Sequence, residues 1–490
     1  MNVLLIYPHC PDTFWNFAHI LRFVGKNAAF PPLGLLTVAA MLPKEWTLRL
    51  IDLNARRLDD EELAWADVVF VSPMIVQEAS ARQVIDHAQR MGKTVVLGGP
   101  LVTTAAERFP EPDACVIGEA EDCIGDLVAD LEAGTLQPVY RAEGRPDISR
   151  TPIPRWDLFD HLAYLVVAVQ CSRGCSFDCE FCDITAIYGR VPRVKAPEQL
   201  VAELDAVLAR GWRGSIVIVD DNFIGNRAKA KRVLRAIIDW RAARHARNTF
   251  IMEASINLVD DPELLSLMVE AGFKQFFIGI ETPSEDGLKE CRKVQNSNRD
   301  LAEAVRTIHR AGIEVMAGFI VGFDADRPEI FAAQKRFIQE AGVVTAMVGL
   351  LTALPGTRLF SRLSVEGRLI GQSTGNNLDA TLNFEPVLDR GLLIDGYRAL
   401  VKELYSPNRY YRRIQAFLRS YQPSMVAGRV TKSDLRAFVS SLRQLGVAQP
   451  GRRHYWRLII GAILRGPQAL SQAVELAIRG YHFRMIAEAI

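Results

Sequence analysis

Four of the eight cysteines fall within twelve residues, Cys171-Ser-Arg-Gly-Cys175-Ser-Phe-Asp-Cys179-Glu-Phe-Cys182. Three of them, Cys175, Cys179 and Cys182, have the spacing C-x3-C-x2-C. A loop with that spacing can wrap three thiolates around three corners of a four-iron cube. A four-iron, four-sulfur cluster normally takes four protein thiolates. Three ligands leave one iron open to bind something else, which makes a site for chemistry as well as for storing electrons.

Two other arrangements compete. A disulfide pair suits a secreted chain, and nothing in the sequence marks secretion. Structural zinc takes four ligands, usually as two separated pairs. Cys171 could be a fourth, but four ligands in so short a run is an unusual zinc arrangement. Outside the three-cysteine spacing, Cys171 is expected as a small buried hydrophobe, with a fourth ligand or a redox partner as alternatives.

Such a loop needs a scaffold, and 490 residues are enough for two or three domains. The net charge of +1 and the apolar content fit an ordinary soluble enzyme and do not point to nucleic acid. The start, Met1 to Pro8, has no basic leader and reads as a strand, and no run of about twenty apolar residues predicts a transmembrane helix. Reduced cysteines in a cytoplasmic setting are therefore expected.

Residues 1–135 alternate short apolar strands with helical stretches, the pattern of a doubly wound parallel sheet covered on both faces. The expected strands are Val3–Tyr7, Leu48–Leu53, Val68–Ser72, Thr94–Leu97 and Ala114–Ile117. Ligands bind such sheets at the carboxyl ends of the strands. Here those ends carry Pro8-His9, Asp52-Leu-Asn54, Pro73-Met74 and Gly98-Gly99-Pro100. Residues 136–162, rich in Pro and Gly, read as a linker. A second α/β region, 163–365, offers six strands near 165–170, 216–220, 250–255, 276–281, 315–321 and 345–351, a partial (β/α)6 barrel. The cysteine loop follows its first strand and so falls on the carboxyl face, where barrels carry their chemistry. Residues 366–490 read as helical.

A first barrel strand running into Arg173-Gly174-Cys175-Ser-Phe-Asp-Cys179-Glu-Phe181-Cys182 resembles the radical S-adenosylmethionine (SAM) superfamily. With an α/β domain before it, the chain resembles the cobalamin-dependent radical SAM enzymes. The phrase from Cys182 to Arg190 and the tail stretches Tyr455–Arg457 and Gly480–Arg484 are similar to a subgroup that includes hopanoid methylases. The resemblance implies a [4Fe–4S] cluster on Cys175, Cys179 and Cys182, with the open iron chelating the amino and carboxylate groups of SAM. It also implies SAM contacts from Phe181, from Asp220 and Asp221 after the second strand, and from Ser255 after the third. Asn222 and Asn257 lie beside these. Glu281, ending the fourth strand, would accept both ribose hydroxyls, and Gly318 would let adenine approach the backbone. Asp and Asn also favour turns and caps, and a strand glycine can mark a bulge.

Methionine-synthase-type cobalamin domains carry Asp-x-His-x-x-Gly. Asp52 matches its first position, Asn54 stands at the histidine and Arg57 at the glycine. Asn is a poor cobalt ligand beside imidazole, so cobalamin is expected with its lower base displaced and no histidine on the metal. Met74, Val76 and Gln77 would face the lower side of the corrin, and Gly98, Gly99, Gly118 and Glu119 the nucleotide tail. The implied reaction moves a methyl group from methylcobalamin to an unactivated carbon of a small hydrophobic substrate, with polycyclic lipids as the class the subgroup suggests. A flavodoxin or ferredoxin would supply electrons. Cyclisation or rearrangement with the same cofactors is the alternative outcome. A methylthiotransferase ranks lower, because Cys10, Cys115 and Cys123 do not suit a second cluster.

Residues 401–490 carry two Lys and thirteen Arg against one Asp and three Glu, a net +11, so the remainder carries −10. The stretch from Trp456 to Arg465 can place its apolar residues on one helix face, suited to peripheral contact with an anionic membrane. A helix packed over the barrel, its arginines solvated or paired, is the plainer reading.

Overall fold

The computed structural model describes residues 1–422 and 432–490. The first sheet holds β1 (Asn2–Tyr7), β2 (Thr47–Asp52), β3 (Val68–Val71), β4 (Thr94–Leu97), β5 (Ala114–Ile117) and β6 (Val139–Arg141). Its order is β2-β1-β3-β4-β5-β6, with every pair parallel. Parallel strands covered on both faces need no polar alternation. Leu4 and Ile6 accordingly join one apolar layer with Val69 and Val95, while Val3 and Leu5 join another with Phe70 and Val96. The strand order reverses at β1, so the carboxyl ends of β1 and β3 flank a crevice of the kind that holds ligands. Within 136–162, expected as a linker, the chain adds β6 at the sheet edge, and the Pro138 carbonyl accepts from Cys115 N at 2.9 Å. Proline at a strand's start costs no ladder bond, which is why the Pro-rich composition concealed it.

The second sheet starts at β7 (Val167–Val169). A short antiparallel pair, β8 (Ser172–Arg173) and β9 (Arg193–Val194), encloses the cysteine loop. Then come β10 (Ile216–Ile218), β11 (Phe250–Glu253), β12 (Phe273–Glu281), β13 (Glu314–Val321) and β14 (Ala346–Leu350). The order β14-β13-β12-β11-β10-β7, parallel throughout, is the expected partial (β/α)6 barrel.

The C-terminal region is helical, ending in Arg452–Ile463 and Pro467–Ala489. It is packed into the molecule, not appended. Arg413 is fully buried and donates to the Val344 and Leu404 carbonyls at 3.1 Å each. Arg479 is buried between Glu314 and Glu475. These arginines are structural, contrary to a wholly exposed basic surface. Arg429, another tail arginine, lies outside the described residues. A helix missed in the sequence, Ala18–Val24, carries the N-terminal segment onto the last helix, where Phe14 stacks on Phe483 at 5.5 Å. Among the described residues no helix is long and apolar enough to cross a membrane.

His309 is buried edge-on to Phe417, with ring centroids 4.8 Å apart, and neither ring nitrogen has a partner among the described residues. Burial pushes its imidazole down to about 3, below the roughly 6.5 of an unfolded histidine. The unfolded chain therefore takes up the proton first, and stability is lost as pH falls below 6.5, by up to about 1.4 kcal/mol per pH unit. His309→Leu is expected to remove that share of acid sensitivity between about pH 6.5 and 5, read as apparent Tm against pH beside the native chain.

Candidate active site

The cysteine loop is held at its neck by acids from the next strand. Asp220, buried after β10, accepts from Cys171 N at 2.7 Å and Ser172 Oγ at 2.6 Å. Asp221 accepts from Gly174 N at 2.8 Å. Gly174 has φ 92°, and a Cβ there would press on the Gly189 carbonyl, so only glycine fits this turn. Both oxygens of Asp220 are thus committed to the loop. This departs from the expected role as a SAM contact: Asp220 shapes the site from behind. Asp221 retains an oxygen free of Gly174. Burial raises Asp220 to about 6. Burial, with Asp220 and Asp183 nearby, raises Asp221 to about 7.

The three thiols are unbridged. Asn222 Nδ2 donates toward Cys175 Sγ, and Gln295 Nε2 toward Cys179 Sγ, each at 3.8 Å. Ser255 Oγ, with one proton to give, donates to Asn257 Oδ1 at 2.7 Å and lies 3.3 Å from Asn222 Oδ1. Ser255 and Asn257 therefore join the cysteines through Asn222. Glu281 ends β12 at φ 64°, just past a bulge, and its Oε1 lies 2.6 Å from Lys293 Nζ. A Cβ at Gly279 would overlap that pair, and one at Gly318 would meet Phe277. Lys293 sits 5.9 Å from the Phe181 ring centre. Burial works to lower the Lys293 ammonium's pKa, but Glu281 and the Cys179 and Cys182 thiols outweigh it and raise it.

Lys293 and Gln295 were not anticipated, nor was Glu253, which burial and the Asp221 charge push up to about 8. The polar run Lys293-Val-Gln-Asn296 is its own signal, since such residues are seldom fully buried without a partner. Asn296 ties it to the strand by donating to the Gly279 and Ile280 carbonyls at 3.0 Å each.

On the first sheet, Asp52 accepts from Asn54 N at 2.8 Å, from Asn54 Nδ2 at 2.7 Å and from Tyr164 OH at 2.9 Å. Asn54 also donates to the Pro8 carbonyl at 3.1 Å and accepts from Cys10 N at 2.8 Å. Its amide is engaged at both ends and is no free metal ligand. Gln77 likewise braces the rim, donating to the Pro8 carbonyl and accepting from Met74 N at 2.8 Å. Met74 is exposed, and Gly375 packs against Ile75 and Val76. Gly99, at φ 90°, leaves no room for a Cβ beside Ser72; Gly98 adjoins it. Gly118, at φ 94°, turns the chain into Glu119.

Glu119 departs from its expected place on the nucleotide tail. It is buried, and it pairs with Arg173 at 2.6 Å and Arg193 at 2.7 Å. Glu121 adds a second carboxylate 2.8 Å from Arg173. Arg173 and Arg193 face each other across β8 and β9, so the neck of the cysteine loop is gripped by the rim of the first sheet.

The residues present fit the implied groups. Three free thiols with amide donors on two of them, a buried cation beside them, and an unpartnered buried Gln295 Oε1 suit an anionic cluster and a polar ligand. Among the described residues no three His, Cys, Asp or Glu converge on a single-ion site. Thiolates on three corners of a cube stand farther apart than donors around one ion. A rim whose turns are made by Gly98, Gly99 and Gly118, with the exposed His9 beside Pro8, leaves room for a corrin at the strand ends.

Comparison with known proteins gives the same division. The B12 binding domain family matches residues 27–128, the radical SAM superfamily 169–332, and a domain of unknown function, DUF4070, 357–490. An uncharacterized methyltransferase of Synechocystis is 39% identical over 496 residues, covering 100% of this chain and 92% of its own. The hopanoid C-2 methylase of Rhodopseudomonas palustris is 35% identical over 479 residues, covering 95% and 90%. The radical SAM methyltransferase TsrM of Kitasatospora setae, solved with cobalamin and [4Fe–4S] cluster bound, shares the fold at 17% identity, with a TM-score of 0.63 over 100% of this chain and 99% of that one. The chain belongs to the cobalamin-dependent radical SAM methyltransferases. Its cofactors are a [4Fe–4S] cluster, SAM and cobalamin.

Glu119→Gln removes the charge that both arginines share. Breaking a buried pair costs about 3–5 kcal/mol, here set between the two cofactor halves. A lower Tm is expected, along with several-fold more 5′-deoxyadenosine per methyl group transferred. Unchanged coupling with a lower Tm would limit Glu119 to stability.

Proposed function

We propose that this enzyme methylates an unactivated carbon of a polycyclic lipid, with hopanoids, named for the R. palustris relative, as the first class to test. The observation that carries the reading is the Glu119–Arg173–Arg193 clamp, which sets the corrin rim of the first sheet against the cluster loop of the barrel. Corrin and cluster must face one cavity for a substrate radical to meet a methyl donor. When bound, the cluster with SAM supplies the hydrogen-abstracting radical and the corrinoid supplies the methyl group.

We assign residues 1–135 to the corrinoid, 136–162 to the join, 163–365 to the cluster and SAM, and 366–490 to the helical cover. Cys175, Cys179 and Cys182 hold the cluster, while Asn222 and Gln295 orient two of the thiolates. Phe181, Asp221, Ser255, Glu281 and Gly318 line the SAM side, with Asp220 fixing the loop beneath them. Lys293 pairs with Glu281 and offsets the negative charge of the thiolates. Met74, Val76, Gly98, Gly99 and Gly118 line the corrin side, with Asp52, Asn54 and Gln77 bracing it.

Two finer points belong to the same reading. Electrons come from a flavodoxin or ferredoxin. The helix Arg452–Ile463 meets an anionic membrane, supported by the exposed Trp456, Ile460, Ile463 and Leu464 beside the exposed Arg453, Arg457 and Arg465. A lipid substrate gives that contact a purpose.

The test is anaerobic reconstitution with iron, sulfide and cobalamin, followed by turnover of methyl-labelled SAM with a hopanoid. Label in the lipid is the expected result. Lipid altered without label would favour cyclisation or rearrangement. Cys175→Ala is expected to lose both 5′-deoxyadenosine and labelled product. Lys293→Met should keep iron content near native while weakening SAM binding about tenfold, read by equilibrium dialysis, because a buried charge partner of Glu281 is lost.

A further inference from the structure

Three arginines from three separate elements converge on one carboxylate at the outer face of the cysteine loop. Asp178 Oδ2 lies 2.8 Å from Arg358, 3.6 Å from Arg190 and 3.8 Å from Arg292. Arg190 follows the helix Ile184–Ile187, Arg292 follows Glu285–Glu290, and Arg358 opens Arg358–Val365. Their side chains are 57%, 55% and 52% exposed, against 20% for Asp178. Asp178 is the one carboxylate the three share, and it lies beneath them, so the guanidiniums are the exposed charges of the group. The neighbouring Arg362 and Arg368 differ: they are less exposed, and four acids, Glu180, Glu290, Asp324 and Glu366, surround them and balance the face as a whole.

The patch is fixed to the loop that carries the thiols. Asp178 and Glu180 flank Cys179 in sequence. Glu180 N donates to the Cys291 carbonyl at 3.0 Å, and Leu359 N donates to the Glu180 carbonyl at 2.9 Å. The backbones bearing Arg292 and Arg358 are thereby tied to the loop beside Cys179. A surface depression lined by Glu180, Arg292, Thr357, Arg358 and Arg362 lies on the same face. Holding the loop needs only one of these arginines, and exposed ion pairs contribute little to stability. Exposed guanidiniums set over less exposed acids can pair with the carboxylates of an anionic partner, an attraction that salt screens.

We propose that Arg190, Arg292 and Arg358 form the docking surface for an acidic, low-potential one-electron carrier protein. The inference rests on the functional reading above, in which the cluster must be reduced to cleave SAM. In each encounter the reduced carrier gives up one electron, the cluster gains it, and the carrier leaves one electron more oxidised. No bond is made or broken between the two proteins.

The test uses the full-length reconstituted protein with two probes, a flavodoxin and a ferredoxin. Affinity is measured directly at low and raised salt, and SAM cleavage is driven by each carrier or by dithionite. Combining Arg190→Gln, Arg292→Gln and Arg358→Gln is expected to weaken carrier binding about tenfold at low salt and to flatten its salt dependence. Arg292→Glu alone should weaken it in the same direction. Cleavage driven by dithionite, a small reductant with no need to dock, should stay near native. The carrier that binds identifies the source of electrons, and binding of neither overturns the proposal. So does affinity unchanged in the triple variant, or dithionite-driven cleavage falling in step with carrier-driven cleavage. Carrier binding through these arginines without cleavage under any reductant would sink the functional reading and leave the surface standing.

Discussion

The arrangement of the site depends on two carboxylates placed under two guanidiniums. Glu119 and Glu121 leave the end of β5 on a turn that Gly118 alone permits, and they meet Arg173 and Arg193 at the neck of the cysteine loop. Burying four charges is expensive, and such groups add little net stability over apolar packing. What they add is orientation. Bidentate guanidinium–carboxylate geometry tolerates little rotation, so one sheet's ligand rim is set against the other's. An apolar interface of equal area would hold the two sheets together without fixing which rim faces which.

Behind this clamp, many of the polar groups are committed to building the site. Asp220 fixes the loop, Asn54 and Gln77 converge on the Pro8 carbonyl, and Asn296 holds the end of β12. A ligand site on loops is only as well placed as its supports, and here the supports are buried acids and amides at strand ends. The groups left for ligands are fewer: the thiols, the Glu281–Lys293 pair, one oxygen of Asp221, and Glu253.

The periodicity of the sequence carried the fold because both sheets are parallel and buried. Runs such as Val68–Val71 and Ala346–Leu350 are continuous and apolar, and they stand apart from amphipathic helices. β6 escaped because three residues, two of them exposed, leave no pattern. The cysteine loop was legible because three thiols at this spacing follow a strand directly, and the structure places the loop between β7 and β10 as expected. Lys293, Gln295 and Glu253 were not, because their meaning comes from long-range packing: Gln295 meets a thiol 116 residues away. Glu119 and Asp220 were placed on the correct rim but assigned to ligands. Sequence shows that an acid ends a strand; it does not show which arginine has already taken it.

Charge in the tail teaches the same lesson at larger scale. A net +11 over 401–490 suggests one basic surface, yet the structure divides it. Arg413 caps two backbone carbonyls in the core, and Arg479 answers Glu314 on β13. Part of the acidity of the remainder is thus matched internally, across the boundary where the composition changes. The arginines of Arg452–Ile463 remain outside, beside exposed apolar residues. Those at Arg190, Arg292 and Arg358, in a part of the chain with a net negative count, also stay exposed. Net charge by segment therefore misplaces both groups of exposed arginines. What separates them from the structural arginines is burial: Arg413 and Arg479 are enclosed against fixed acceptors, whereas these guanidiniums face solvent.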